Sequence, residues 1–215
     1  MTIAELYEKL ADKNFQDPET GNLFWPTYMY LYKPETEYSI RKEVENIKQR
    51  LKRPDNYIDV LLINIFEELI AYLRSESFGD TNLFEELVQM EKEEPETVAS
   101  LLSNKAGEDS FFAWLNKKVT DHLHLPNPNN EKKSYVFVTG IGEIFPYLRA
   151  SKFISNFEKY TTGKFKLVVF YPGRVNQFCH LFDKLNDDNP YRAIKLINNP
   201  YADSGNIWTK NWSSY

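Results

Sequence analysis

The sequence predicts an α/β protein: a three-layer α/β/α domain with a mainly parallel, Rossmann-like sheet and a helical insert over about residues 75–125. Strand-like segments alternate along the chain with segments of helical period, the signature of strands joined by helical crossovers. The strand-like runs are also nearly continuous in apolar residues, as strands covered on both faces are. At 215 residues, 42% hydrophobic and 27% charged, the chain has the length and composition of one ordinary globular domain, taken here as 1–215.

Ile3, Leu6, Tyr7 and Leu10 recur at helical spacing in TIAELYEKLADKNF, and QDPETGN closes that helix. FWPTYMYLY is rich in strand formers, with a strand expected near Tyr28–Tyr32. KPETEYSIRKEVENIKQRL then sets Ile40, Val44, Ile47 and Leu51 on one helix face. A second, buried strand is expected near Tyr57–Ile63 in NYIDVLLINIF, and EELIAYL returns to helix. The insert is helical and charged, broken at Pro95 and by the loop NKAGEDS before FFAWLNKKVTDHL. After the turn LPNPNNEKK, strands are expected near Tyr135–Thr139, Lys166–Phe170 and Ala193–Ile197, with right-handed crossovers making the sheet parallel. The tail from about 200 to 215, YADSGNIWTKNWSSY, has neither period despite its two Trp residues.

A formal charge of −5 argues against nucleic-acid binding by the surface as a whole, which needs a basic footprint. Cys179 is the single cysteine, so no internal disulfide can form, and no segment resembles a signal peptide; a cytoplasmic location is expected. The most apolar run, YIDVLLINIFEELIAYL, is interrupted by Asp59, Glu67 and Glu68 and falls short of the roughly 20 apolar residues of a membrane span. Aromatic residues make up 15% of the chain, which suits a bulky core or a partner surface.

YVFVTGIGEIFPYLR, Tyr135 to Arg149, has the strand, glycine turn and helix layout that opens many phosphate-binding loops. Gly140 and Gly142 lack the lysine and hydroxyl of a Walker A loop. Phe145 stands where a dinucleotide fingerprint needs a small residue, and the next strand ends VVFYPG without the ribose-binding carboxylate. A tight strand-to-helix turn is the simpler reading, with Pro146 in the first turn of the helix, where N–H groups lack partners.

VFVTGIGEIFPYLR, LVVFYPG, Leu181–Phe182 and NPYRAIKLI stand in an order and spacing that resemble the BrxB family of the BREX bacteriophage-exclusion systems. The resemblance covers Tyr135–Ile197 most closely and Trp25–Phe66 more loosely. Pro190 and the turn after Pro172–Gly173 depart from the family pattern. The resemblance implies a role in antiphage defence as an accessory or scaffold beside a PglZ-type phosphatase-like partner and other BREX components, with DNA met only indirectly. It brings no established catalytic activity and no cofactor.

On a helix beginning near Pro146, Phe145, Arg149, Phe153 and Phe157 share one ridge with Tyr160 beside it, so Arg149 falls inside an aromatic face. There its guanidinium meets a carboxylate, backbone carbonyls or a ligand anion, a structural ion pair being the preferred reading. Arg192, before AIKLI, has the same two readings. Thr139, Gly140, Tyr171, Pro172 and Gly173 are expected at the carboxyl ends of neighbouring strands, the edge where open α/β sheets bind ligands. Glu143, just beyond, is read as favouring a helix dipole rather than as a general base. These residues form a candidate ligand or structural motif, and a nucleotide- or anion-binding enzyme or sensor acting at the glycine edge is the alternative function. His122, His124, Cys179 and His180 lack zinc spacing, so no metal site is expected, and Cys179 is read as a small buried side chain. Lys48, Arg50, Lys52 and Arg53 end a helix whose dipole favours cations there. Phe111, Phe112 and Trp114 of the insert are candidate partner-binding anchors.

Overall fold

The computed structural model describes residues 2–16, 27–127, 129–161, 164–175, 179–186 and 195–198. Helix α1 (Ile3–Ala11) opens on a capping box, in which the Thr2 hydroxyl accepts from the Glu5 amide and the Glu5 carboxylate accepts from the Thr2 amide. After α2 (Lys13–Gln16) come β1 (Thr27–Tyr32), a 3-10 turn (Pro34–Thr36), α3 (Glu37–Leu51), β2 (Ile58–Asn64) and α4 (Ile65–Ser75). The insert holds a two-stranded ribbon, β3 (Ser77–Phe78) and β4 (Thr81–Asn82), then α5 (Leu83–Met90), α6 (Pro95–Gly107) and α7 (Asp109–His124). There follow β5 (Lys132–Thr139), α8 (Ile141–Ile144), α9 (Ala150–Phe157), a 3-10 turn (Glu158–Tyr160), β6 (Lys166–Val175), β7 (Cys179–Leu181), β8 (Leu185–Asn186) and β9 (Lys195–Leu196).

The main sheet runs in the order β2-β5-β6-β1-β9, and every pairing along that path is parallel. An antiparallel extension, β7 and β8, folds back on the end of β6. The expected strands are thus present in a mainly parallel sheet; of Ala193–Ile197, residues 193 and 194 lie outside the described residues. Successive side chains face opposite layers. Tyr28, Tyr30, Tyr32, Val60, Phe137 and Phe170 meet Leu6 and Leu10 of α1 and Val44, Ile47 and Leu51 of α3. Met29, Leu31, Ile63, Val136, Val138 and Val169 meet α4, α7 and α9 through Leu69, Leu115 and Phe153. Burying each such side chain is worth about 1.5–3 kcal/mol, so this two-sided core holds the strand ends in register.

Two local expectations change. Ile65 and Phe66 belong to α4, not to the second strand: the Asn64 carboxamide oxygen accepts from the Phe66 and Glu67 amides at 3.0 and 3.3 Å and caps the helix there. No helix begins at Pro146. Without an N–H, proline cannot continue α8, and it forces the preceding residue into extended geometry, which Phe145 adopts at φ −65°, ψ 137°. The next helix, α9, starts at Ala150 with Arg149 as an exposed N-cap residue. Arg149 therefore does not lie within the aromatic face, which Phe153 and Phe157 form with Tyr160 against Phe157.

Two of the three expected anchors in the insert, Phe111 and Phe112, belong to the core. Phe111 and Phe112 are 0% exposed: Phe111 lies against Tyr72 of α4, and Phe112 stacks on Phe153 of α9. Trp114 is half-buried, its indole N–H bonded to Glu68 at 3.1 Å. These aromatics fasten the insert to the sheet layer.

Candidate functional site at the carboxyl edge of the sheet

Parallel register brings the strand ends level. Tyr32 is opposite Pro172, and Asn64 is opposite Thr139, so the ends of β1, β6, β2 and β5 form one edge. β1 leaves this edge into α3 on one face, whereas β2 leaves it into α4 on the other. Such a reversal makes the crevice where open α/β sheets bind ligands.

A chain of polar side chains crosses the edge. The Tyr32 hydroxyl donates to Glu37 at 2.6 Å, and Arg41 donates to Glu37 through Nε at 2.8 Å. Its terminal nitrogen reaches Glu143 at 2.5 Å, and the Asn64 amide donates to the other Glu143 oxygen at 2.7 Å. Glu37 and Arg41 share a face of α3 because they are four residues apart. Glu143 reaches them because Gly140, at φ +80°, turns the chain from β5 into α8. Burial, reinforced by the charge and hydrogen bond of Glu37, pushes the Tyr32 hydroxyl far above its ordinary value. Burial also disfavours the Arg41 charge, but hydrogen bonds to Glu37 and Glu143 outweigh it and hold the guanidinium above its usual value.

Of the residues expected at this edge, Thr139, Gly140, Gly142, Glu143 and Pro172 are brought together. The Thr139 hydroxyl donates to the Ile63 carbonyl at 3.4 Å. Gly142 lies beneath the Phe182 ring, where an added Cβ would fall 2.8 Å from the ring, and Pro172 accepts from the Phe182 amide at 2.8 Å. Gly173 sits deeper in the strand pair, where a Cβ would strike the His180 carbonyl. Arg149 is the exposed residue that precedes α9, and Arg192 lies outside the described residues. Glu143 lies in the first turn of α8, where a helix dipole favours it, and it also pairs with Arg41. Tyr32, Glu37, Arg41 and Asn64 are not among the candidates that the sequence alone singles out. The Glu-x-x-x-Arg spacing in EYSIR and the Asn ending LLIN before IFEEL are signals for two of these contacts, but joining them needs the strand order.

Elsewhere, His122 Nε2 lies 3.6 Å from an Asp59 oxygen, and no cluster of metal-ligating side chains occurs among the described residues. No helix among them is long and apolar enough to cross a membrane. At the end of α3, Arg50 lies over the Tyr7 ring at 3.5 Å and Lys52 faces Asp59 at 3.7 Å.

The family model for BREX protein BrxB matches residues 61–196, which takes in Asn64, the glycine turn and the β6–β8 extension. The chain belongs to the BrxB family. A curated relative, BREX protein BrxB of Bacillus cereus (strain H3081.97), is 25% identical over 197 residues, 91% of this chain and 95% of its own length. No solved structure gives a significant match. Membership of the BrxB family gives this chain a role in BREX antiphage defence.

Proposed function

We propose that this BrxB-family protein is a noncatalytic, cytoplasmic scaffold of a BREX complex that binds a PglZ-type phosphatase-like partner. The observation that carries the reading is the filling of the carboxyl edge by the chain's own groups. Where an α/β sheet binds substrate, this crevice is left to the ligand. Here an added atom at Gly140 would meet Asn64 and Glu143, one at Gly142 would meet Phe182 and Pro172, and Arg41 is matched by two carboxylates. An anion entering the edge must compete with Glu37 and Glu143 for that guanidinium. What the edge presents outward is an apolar rim: Tyr38, 81% exposed and one turn before Arg41, with Phe182 and Leu185 on the β7–β8 extension. Exposed aromatic and aliphatic side chains bordered by polar groups suit a protein-docking patch, in which apolar anchors sit within a polar rim, and the other BREX components supply the candidate partners.

Affinity capture of the tagged protein from cells expressing the neighbouring defence genes tests this. The PglZ-type protein should co-purify with wild type and be depleted with Tyr38→Ala. Capture of no BREX component, or nucleotide turnover by the isolated chain, contradicts the proposal.

A further inference from the structure

We propose that a cleft at the opposite, amino edge of the sheet binds a small organic phosphate of the nucleoside-phosphate class. The cleft lies between α7, the Glu158–Tyr160 turn and the residues at the start of β5 and just before β6, and its volume is about 540 Å³. Ligand pockets commonly span roughly 300–1,000 Å³, so it has room for a nucleotide. Leu123 and the Tyr160 ring, both half-buried, give it an apolar side backed by the buried Val119 and Phe165, while Lys133, Lys159 and Lys164 bring three ammonium groups. No carboxylate lines it among the described residues, although the chain carries a net charge of −5.

The lysines differ in how they are held. Lys133 donates to the His122 and Leu125 carbonyls at 2.5 and 2.6 Å, which fixes its ammonium at the cleft and leaves one of its three protons for a ligand. Lys159 pairs with Asp109 at 2.6 Å, with the two side chains 48% and 84% exposed, a surface pair that holds little energy and yields readily to a doubly charged phosphate. Lys164 is exposed beside them. An apolar wall with adjacent lysines matches a ligand that has an unsaturated ring at one end and a phosphate at the other. A nucleic-acid strand needs a longer basic track, and Asp109 and Glu158 interrupt one here. This cleft lies away from the proposed docking rim, so ligand binding and partner binding can fail separately.

Calorimetric titration of the full chain with ATP, AMP, adenosine, inorganic phosphate and a polyglutamate peptide tests the proposal. Nucleotides should bind more tightly than adenosine or phosphate, more weakly as salt rises, and at least about tenfold more weakly to Lys159→Glu or Lys164→Glu, while Tyr38→Ala at the other edge leaves binding unchanged. No binding up to millimolar nucleotide overturns it, as does affinity unmoved by both lysine variants. Equal binding of inorganic phosphate and nucleotide removes the nucleoside class, and preference for polyglutamate points instead to an acidic protein segment.

Discussion

Gly140 carries two constraints at once. Its φ of +80° lies where side-chain-bearing residues are strained, and a Cβ would collide with Asn64 Oδ1, the atom that caps α4. Gly140→Val should therefore cost at least about 2 kcal/mol of stability, measured by urea denaturation. Gly79 gives the comparison. At φ +56° it has nothing within 4 Å of the place a Cβ would take, so Gly79→Ala should cost only about 1 kcal/mol. Equal costs for the two would remove the Asn64 contact from the explanation. His122 supplies a pH test. Burial pushes its imidazole below the ordinary value of 6.5, Asp59 opposes this, and Lys133, Lys52 and Lys48 reinforce it. The native state then binds fewer protons than the unfolded chain near that pH, so the contribution is complete above about pH 6.5 and is lost as pH falls below it. His122→Gln should flatten this part of the stability profile; an unchanged slope contradicts the assignment.

At the scale of elements, α7 joins the insert to the core. Phe112→Ala should cost about 3–5 kcal/mol through the lost ring and the cavity between α7 and α9, with urea midpoints as the readout. A near-neutral result would return Phe112 to the surface. Arg41→Ala should cost about 1–2 kcal/mol, because it leaves Glu37 and Glu143 facing each other without the cation between them. Pairing it with Glu143→Gln in a double-mutant cycle should reveal coupling; additive costs would contradict a shared network. The five strands of the parallel path are legible in the sequence because each is an apolar run near turn signals, whereas β3, β4, β7 and β8, two or three residues long, carry no such run. Helical spacing through Phe145, Arg149, Phe153 and Phe157 places the helix after the glycine turn too early, because Pro146 imposes a stop that the spacing hides. Phe111, Phe112 and Trp114 cannot be sorted into core or surface by sequence, because FFAW occupies successive helix positions and the covered face depends on where α7 meets α4 and α9. The candidate site is half legible: the glycine turn and Glu143 are local, whereas Tyr32, Arg41 and Asn64 reach it through a strand order that spacing does not encode.

For the whole molecule, the proposed association rests on a sheet edge filled from within and on the exposed Tyr38, Phe182 and Leu185 beside it. Because Tyr38 is 81% exposed, Tyr38→Ala should change stability by less than about 0.5 kcal/mol yet weaken partner binding about tenfold or more. The central claim is tested most directly by mixing the purified chain with the PglZ-type protein of the same BREX system and measuring the mass of the product by light scattering. The account predicts a complex whose mass is a whole-number sum of the two chains, formed at micromolar concentrations and lost with Tyr38→Ala. Separate masses across that range, with the chain alone turning over nucleotide or cutting DNA, would contradict it.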